Sequence, residues 1–512
     1  MVLSKVLDGL RLPRPLIAVV SAVLLVLFFG GFWTTQHESI LSRPGFAPSD
    51  SRLSPCASTT ELKAHISLPD SFQYGRRIVR SRATKKSTNR KDLERQKGSL
   101  MPQFVTLSEE QCSSSDEGVF PYDASKDGRE IVLDFFPNVP LEIDQSVLLV
   151  GASTSLDRLE QALAQLKQWL GNTKTSLVVN VADSDERQRD MSRVQSLYRT
   201  AGIDATLLPN ADRPKQGEET DRHGHRHFSV VKQLHSQRKS HHKWFAVVDD
   251  DTFFPSLAAV LAELKKYDSS QPYYIGGLTE DWHALSGKYG YMAYGGAGMF
   301  LSGPLLDTLV KNFDQCLPKH KGDIQGDMVF RDCIYRHTSP PVQLTALPGL
   351  HQVDFRGDAS GWYEAGVEPL LSLHHWSSVW WYLYPVHLGS LVSHVCGTQC
   401  FLQRYRFADD VVLTNGYSVA QYPDGADNVD FGRVEATFMH DTKDREQWDF
   451  SLGKLRPRMS ADEKITWRLE HAIEEKDGTV RQFYIRRAGD EAFDSGRVKQ
   501  KVVGVFEIEW KT

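Results

Sequence analysis

Three consecutive aspartates follow a short apolar run in the segment KWFAVVDDDTFF, residues 243–254. Asp249, Asp250 and Asp251 repel one another unless a cation neutralises them. Carboxylate oxygens favour a hard divalent ion such as Mn²⁺ or Mg²⁺, which commonly keeps positions open for substrate phosphates. The pattern therefore predicts a metal site that holds a diphosphate. The alternative is a solvated acidic turn, or caps for the following helix.

A glycine-rich turn precedes a strand-like run in YGGAGMFLS, residues 294–302. Gly295, Gly296 and Gly298 lack a Cβ atom, so the backbone there can approach a ligand closely. Because glycine-rich turns are common, this segment indicates a binding site only in combination with the other motifs.

Two further segments carry side chains suited to acid–base or metal chemistry. In GDIQGDMVFRDCIYRH, residues 322–337, Asp327 lies near the start of a predicted helix. There it is either a general base or a helix cap. In LSLHHWSSVWW, residues 371–381, His374 and His375 follow an apolar run. One of them could complete a metal site with the aspartates, and a place in the core is the alternative.

Strand and helix patterns alternate from about residue 145, and this order predicts how the motifs are positioned. The alternation predicts an α/β fold with a mostly parallel central sheet flanked by helices. Ligands of such sheets bind at the carboxyl ends of the strands, where the aspartates lie. The predicted strands are SVLLVG, SLVVNVA, IDATLLP, WFAVVD and YYIGG, and the predicted helices span 154–170, 184–202, 226–239 and 255–267.

The chain resembles the Fringe-like glycosyltransferases of family 31, in the branch common in fungi and plants that has a domain of unknown function. The resemblance spans about residues 145–395 and rests on five motifs in order: KWFAVVDDDTFF, YYIGG, YGGAGMFLS, QGDMVF and LHHW. It implies a GT-A nucleotide-sugar-binding fold, a UDP-sugar donor, a glycan acceptor and Mn²⁺ (or Mg²⁺). It also implies transfer of a galactose- or GlcNAc-type sugar with inversion, typically to form a β1,3 linkage, by a type II Golgi membrane protein.

The resemblance assigns roles to the residues that match the family's motifs. Asp327 matches the catalytic base, which takes a proton from the acceptor hydroxyl. The implied metal ligands are Asp249, Asp251 and His374. Contacts to the nucleotide donor are implied for Asp249, Asp250, Gly295, Gly296 and Gly298.

The acceptor and two competing functions stay open at this point. Trp282 departs from the small polar residues that the family usually has after the glycine-containing strand, so the acceptor is undefined. A catalytically silent Golgi-lumen binding or scaffolding protein with the same fold need not keep the aspartates, Asp327 and His374 together. A metal-dependent phosphohydrolase could also use aspartates at a strand end, but it would need neither a membrane anchor nor a stem.

An apolar segment, LIAVVSAVLLVLFFGGFW at residues 16–33, contains no charged residue. As a helix it spans about 27 Å, nearly the hydrocarbon thickness of a bilayer. Basic residues ahead of it indicate that residues 1–15 are a cytoplasmic tail and that the rest of the chain is luminal. A cleaved signal peptide is the alternative, although no small-residue cleavage site follows. The segment therefore predicts a transmembrane signal anchor.

Composition divides the rest of the chain into three parts. Residues 34–140 are rich in serine, proline and charge, which predicts a largely disordered stem. Residues 141–398 are predicted to form the glycosyltransferase domain. Residues 399–512 contain β-rich pieces separated by turn signals, which predict a small C-terminal module.

Cysteines, histidines and net charge restrict the remaining possibilities. Six cysteines favour a secretory lumen, and a net charge of −5 gives no indication of nucleic-acid binding. The histidine-rich segment 222–243 is interpreted as a solvent-facing helix and loop rather than a zinc site. The predicted disulfides, with free thiols as the alternative, are Cys316–Cys333 and Cys396–Cys400.

Overall fold

The described part of the chain forms one compact unit from residue 59 onward. The predicted tail at 1–15 and the predicted anchor at 16–33 lie outside the described residues. Among the residues that are described, no helix is both long and apolar enough to cross a membrane. The computed structural model describes residues 55–85, 89–108, 112, 130–136, 143–210, 223–317, 325–355, 357–376, 384–438, 445–488 and 501–512.

The strands are numbered in chain order. They are β1 (Ser71–Ala83), β2 (Leu93–Arg95), β3 (Val105–Ser108), β4 (Ile131–Phe135), β5 (Leu148–Thr154), β6 (Ser176–Val181), β7 (Asp204–Pro209), β8 (Trp244–Val248), β9 (Tyr274–Gly276), β10 (Met299–Ser302), β11 (Leu344–Ala346), β12 (Arg404–Arg406), β13 (Val411–Thr414), β14 (Ser418–Gln421), β15 (Ile465–Glu474), β16 (Val480–Arg487) and β17 (Val502–Lys511).

The helices are numbered in the same way, with the shortest single-turn segments left unlabelled. They are α1 (Pro55–Lys63), α2 (Leu156–Leu170), α3 (Ser184–Thr200), α4 (His223–Ser236), α5 (Leu257–Leu264), α6 (Gly303–Lys311), α7 (Phe313–Cys316), α8 (Gly326–His337), α9 (Ser360–Tyr363), α10 (Val386–Gly389), α11 (Ser393–Cys396) and α12 (Arg445–Leu452).

A seven-stranded sheet occupies the middle of the described chain, in the order β11-β9-β10-β8-β5-β6-β7. Strands β5 to β8 pair in parallel. Strand β10 runs antiparallel to both β8 and β9, and β11 is parallel to β9. Six strands therefore share one direction, and the predicted α/β fold with a mostly parallel sheet is confirmed.

Both faces of this sheet are buried, as the apolar strands predict. In β8, Trp244, Ala246 and Val248 join the core cluster beneath α2, whose Leu156 and Leu159 face the sheet. Alternate residues of β8 point to the opposite face and join a second cluster that includes α4, α6 and α8. Because side chains alternate along a strand, one five-residue run contributes to both cores.

A second sheet contains ten strands among the described residues, in the order β2-β12-β13-β14-β15-β16-β17-β1-β3, with β4 also pairing with β1. The prediction of β-rich structure over 399–512 is confirmed by β12 to β17. These strands do not form a separate module, because β1 to β4 complete the same sheet. The prediction of a largely disordered stem over 34–140 is wrong for β1, which pairs in parallel with β17 from Gln73 to Arg80.

Two basic residues of the segment predicted to be a stem are buried and paired with distant acids. Arg76 is only 7% exposed and makes ion pairs with Glu507 and Glu509 of β17. Arg90 is 2% exposed, and its guanidinium lies 2.9 Å from the carboxylate of Glu368. A run of positive charge thus forms buried structure here because its partners come from more than 270 residues downstream.

Both predicted disulfides are confirmed. Cys316 bonds to Cys333, which joins α7 to α8 with a Cα–Cα distance of 5.1 Å. Cys396 bonds to Cys400, with a Cα–Cα distance of 5.8 Å. Both distances are normal for a disulfide.

Candidate active site

The aspartate triplet begins directly after β8, at the carboxyl end of the parallel strands. Strand β10 runs the opposite way beside β8, with Met299 opposite Val247. The glycine-rich turn that precedes β10 is therefore brought to the same edge of the sheet. Sequence motifs that are about 45 residues apart meet here because one strand of the sheet is reversed.

His374 reaches the triplet through a short β-bridge. Phe253 and Leu373 exchange two backbone hydrogen bonds of 2.9 Å, which places the next residue beside the aspartates. Its Nε2 lies 3.0 Å from Oδ1 of Asp251 and 3.3 Å from Oδ2 of Asp249. The ligand atoms of these three residues all lie within 4.8 Å of one another, as the predicted metal site requires.

The electrostatics of this cluster favour a positive charge between the carboxylates. Burial by itself raises the pKa of Asp249, but the hydrogen bond and charge of His374 outweigh it and hold the pKa below its usual range. The pKa of Asp251 is lowered for the same reasons. Burial by itself lowers the pKa of His374, but the two carboxylates raise it well above its usual value. Either an imidazolium or a bound cation satisfies this arrangement.

The glycines of the turn make room for the side chains of the site. A Cβ atom on Gly296 would lie 2.1 Å from the ring of His374, and one on Gly295 would lie 2.6 Å from Oδ1 of Asp327. Gly298 has φ 102°, a conformation that favours glycine. The backbone thus closely approaches side chains of the candidate site, which is a different reason for glycine than the predicted contact with the donor.

Asp327 lies in the first turn of α8, and its carboxylate enters the same cleft. Its Oδ2 accepts a hydrogen bond of 2.9 Å from the backbone N–H of Gly295. Its Oδ1 lies 3.2 Å from Nε2 of His227, without the alignment of a hydrogen bond. Oδ1 is buried, but the side chain of Asp327 as a whole remains 18% exposed and lines the cavity.

His227 lies between Asp249 and Asp327. The interpretation of its segment as solvent-facing is wrong at this position. It is 7% exposed, and its Nδ1 lies 3.9 Å from Oδ1 of Asp249 while its Nε2 faces Asp327. Burial lowers its pKa, but the contact with Asp327 outweighs burial and raises the pKa above the usual value. The signal was present in the helical spacing, since His227 lies one turn before the buried Val230 and Val231.

Asp250 has different partners from the other two aspartates. Its carboxylate accepts hydrogen bonds from Thr154 and from both Nε and Nη2 of Arg158, with the Nε contact at 2.6 Å. Its carbonyl oxygen accepts a hydrogen bond from Gln165. These bonds fasten the end of β8 to β5 and α2, so Asp250 supports the turn while its neighbours form the candidate metal site.

Asp249, His374 and Asp327 share one cavity of about 380 Å³. Asp354 and His375 form part of its wall, and His375 Nδ1 lies 2.8 Å from Oδ1 of Asp354. Oδ2 of the same carboxylate accepts a hydrogen bond of 2.6 Å from Thr279. Of the two adjacent histidines, His374 therefore faces the aspartate triplet and His375 faces Asp354.

Comparison with known families agrees with these motifs. Residues 183–353 match the family described as Fringe-like, and residues 287–508 match the family described as protein of unknown function, DUF604. The resemblance to the Fringe-like glycosyltransferases of family 31 is thereby confirmed. The Fringe-like match contains the triplet and Asp327, whereas His374 lies only in the DUF604 match. No curated protein matches the chain.

Several solved glycosyltransferases show a weak likeness to the chain. GlyE of Streptococcus pneumoniae TIGR4 is 15% identical with a TM-score of 0.27, over 46% of this chain and 55% of GlyE. Mouse xyloside xylosyltransferase 1 is 12% identical with a TM-score of 0.26, over 39% of this chain and 84% of that one. The galactosyltransferase LgtC, solved with donor and acceptor sugar analogs, is 12% identical with a TM-score of 0.25, over 38% and 72%. At these TM-scores the likenesses carry no argument about function.

Proposed function

We propose that this chain is an inverting GT-A glycosyltransferase that transfers a sugar from a UDP donor to a glycan acceptor. The observation that carries the proposal is the convergence of Asp249, Asp251 and His374 at the carboxyl end of β8, beside a cavity that Asp249, His374 and Asp327 line. A nucleotide diphosphate needs a metal site, and an acceptor hydroxyl needs a base. A sugar transfer between them requires both groups side by side. The galactose- or GlcNAc-type donor and the β1,3 linkage follow from the family resemblance.

The donor set fits a divalent cation. Two carboxylates and one imidazole suit Mn²⁺, and Mg²⁺ is the second choice because it prefers oxygen ligands alone. When bound, the ion would offset the negative charge of the departing diphosphate. The lowered pKa values of Asp249 and Asp251 keep both ligands ionised at neutral pH.

Asp327 acts as the general base in this proposal. The hydrogen bond from Gly295 fixes Oδ2 and orients the carboxylate into the cavity. The carboxylate accepts the proton of the acceptor hydroxyl as that hydroxyl attacks the anomeric carbon from the side opposite UDP. His227, with its raised pKa, supplies positive charge beside this carboxylate.

The proposal includes a Golgi location and type II membrane topology. The length and apolarity of residues 16–33 support a signal anchor. Disulfides such as Cys316–Cys333 support an oxidising lumen, because they persist in that environment and are rare in the cytosol.

The test is UDP release by the purified chain with Mn²⁺ and a panel of UDP-sugars, measured with and without acceptor glycans. We expect release that depends on Mn²⁺ and rises with one acceptor. Asp327→Asn should lower turnover by about 10³-fold, since it removes the base. Calorimetry should find UDP·Mn²⁺ affinity in this variant within about twofold of wild type, because the metal ligands are intact.

The matched control is Asp314→Asn, which makes the same chemical change at a side chain that is 92% exposed. It should leave turnover unchanged. Release of UDP without any divalent metal would contradict the proposal, as would near wild-type turnover of the Asp327→Asn variant.

A further inference from the structure

Two aromatic side chains from distant parts of the chain meet beside the cavity. The rings of Trp282 and Phe450 lie 4.0 Å apart between centroids and are inclined by 36°. Phe450 is 65% exposed, and Trp282 is partly exposed. Exposed aromatic pairs of this kind mark binding surfaces more often than isolated apolar residues do. Trp282 was the residue that departed from the family pattern.

Trp282 lies within a segment that forms a wall of the cavity. Its neighbours Asp281 and His283 both line the cavity. Oδ1 of Asp281 accepts hydrogen bonds from the backbone N–H groups of His283 at 2.8 Å and Ala284 at 3.1 Å, which fixes this turn. Trp282 therefore belongs to a fixed turn whose two flanking residues line the cavity.

Phe450 is presented by α12, in the part of the chain that only the DUF604 family covers. The helix is anchored by Trp448, which is 4% exposed and packs on Phe355 and Phe438 at 5.2 Å and 5.0 Å between centroids. Phe355 follows Asp354, which lines the cavity. A buried ring therefore fixes the helix to the wall of the site, and the ring two residues later is left facing outward.

Aromatic faces beside polar groups have the chemistry that recognises a sugar ring. One face of a pyranose carries several C–H groups and packs on an aromatic ring, while its hydroxyls need hydrogen-bond partners. The polar residues Asp281, His283 and Lys288, which are close to Trp282 in the chain, line the cavity. A lipid or a protein helix would not need this combination of polar and aromatic groups.

We propose that Trp282 and Phe450 form a platform that binds a neutral sugar ring of the acceptor, at the rim of the cavity that contains Asp327. This inference rests on the proposed glycosyltransferase function. It gives the DUF604 region a role, namely to complete the acceptor side of a site whose metal-binding aspartates and base lie in the Fringe-like region. Both residues bind substrate in this proposal and neither takes part in proton transfer.

The test uses the full chain and three simple probes: the methyl glycosides of β-galactose, β-N-acetylglucosamine and α-mannose. Saturation-transfer NMR measures binding of each probe in the presence of UDP and Mn²⁺. We expect a signal from at least one probe, strongest for the protons of one ring face. Trp282→Ala and Phe450→Ala should each weaken that binding by about tenfold, and Phe450→Tyr should retain it.

Two controls separate this inference from folding and from the proposed function. Leu197→Ala, at a 38% exposed position on α3, should leave probe binding unchanged, and all variants should unfold at the wild-type temperature. Calorimetry of UDP with Mn²⁺ reports the donor site alone, and the alanine variants should bind UDP as wild type does. If wild type does not bind UDP, the proposed function fails.

If wild type binds UDP but no glycoside, or if both alanine variants bind the glycoside as wild type does, the platform is overturned. Loss of UDP binding in the alanine variants would also overturn it, because the pair would then support the donor site. Binding to phosphatidylcholine vesicles that depends on Trp282 and Phe450, with no glycoside signal, would overturn it in favour of a membrane-facing patch.

Discussion

Three identical residues in a row have three different environments. Asp251 and Asp249 both face His374, but only Asp249 also approaches His227. Asp250 points away from this group and binds Arg158. Successive side chains after a strand point in different directions, so adjacent aspartates can serve structure and metal binding at once.

His227 offers a test of how the candidate base is positioned. We expect His227→Phe to lower turnover by about ten- to a hundredfold, because the charge beside Asp327 is lost. The phenyl ring keeps the edge contact that His227 makes with Phe330, whose centroid is 5.7 Å away. UDP·Mn²⁺ affinity should stay close to wild type, and the measurement is steady-state turnover over a range of pH.

A positioning role predicts that the pH–rate profile of this variant differs from that of wild type, since the imidazole whose pKa is raised beside Asp327 is gone. An unchanged profile with unchanged turnover would show that His227 only fills space. His235→Phe, on an exposed turn of the same helix, is the matched control.

His471 in β15 predicts a pH dependence of stability. It is 8% exposed and stacks on His65 at 4.0 Å between centroids, and burial lowers its pKa to about 4 from 6.5. Between these values the unfolded chain binds a proton at this position and the folded chain does not. Stability therefore falls as the pH falls through this window, by up to about 3 kcal/mol from this residue.

The variant His471→Phe keeps the stacked ring and removes the titration. We expect its free energy of unfolding to fall less than that of wild type between pH 6.5 and pH 4. Urea unfolding at a series of pH values measures the difference. Parallel curves for the two proteins would contradict the assignment.

At the scale of elements, the glycine turn before β10 decides whether the site can assemble. The turn brings backbone to the ring of His374 and to the carboxylate of Asp327, and neither approach leaves room for a Cβ atom. The reversed direction of β10 then carries this turn to the end of β8. One short connection thus positions both the candidate metal ligand and the candidate base.

Gly296→Ala tests this role of the turn. The new Cβ atom would lie 2.1 Å from His374, so the ring must move away from Asp249 and Asp251. We expect Mn²⁺-dependent UDP affinity to fall by about a hundredfold, measured by calorimetry. The matched control is Gly287→Ala, where the added atom meets nothing within 4 Å. Equal affinities for the two variants would contradict the argument.

At the scale of the whole molecule, the early and late parts of the chain form one sheet. Strand β1 pairs in parallel with β17 from Gln73 to Arg80 and contributes Tyr74 and Val79, both 0% exposed, to the core. Parallel pairing requires a long connection, and here almost the entire chain supplies it. The Fringe-like region therefore lies between two segments of the chain that pair with each other in the second sheet.

Truncation tests this closure. A chain that begins at residue 100 lacks β1 and β2, which exposes the edge of β17 and the core that Tyr74 covers. We expect it to aggregate or to unfold without cooperativity, whereas a chain that begins at residue 55 should fold and bind UDP·Mn²⁺. Size-exclusion chromatography and thermal unfolding make the comparison. A soluble, cooperative chain from residue 100 would show that β1 is dispensable.

The sequence by itself determined the features that depend on near neighbours. The apolar run of β8 followed by aspartates predicted a buried strand with charge at its end, and leucines at helical spacing predicted α2. The order of the motifs predicted the Fringe-like region and its candidate residues, including Asp327 and His374. These features can be predicted because side-chain periodicity and the order of motifs are visible in the sequence itself.

Only the tertiary structure decided which of these residues meet and what neutralises them. The bridge between Phe253 and Leu373 brings His374 to the aspartates, and no local pattern encodes a pairing across 120 residues. The segment around Arg76 resembled a solvated stem because its acidic partners lie in β17. The charge and burial of a side chain depend on all its neighbours in space, and the sequence shows only those adjacent along the chain.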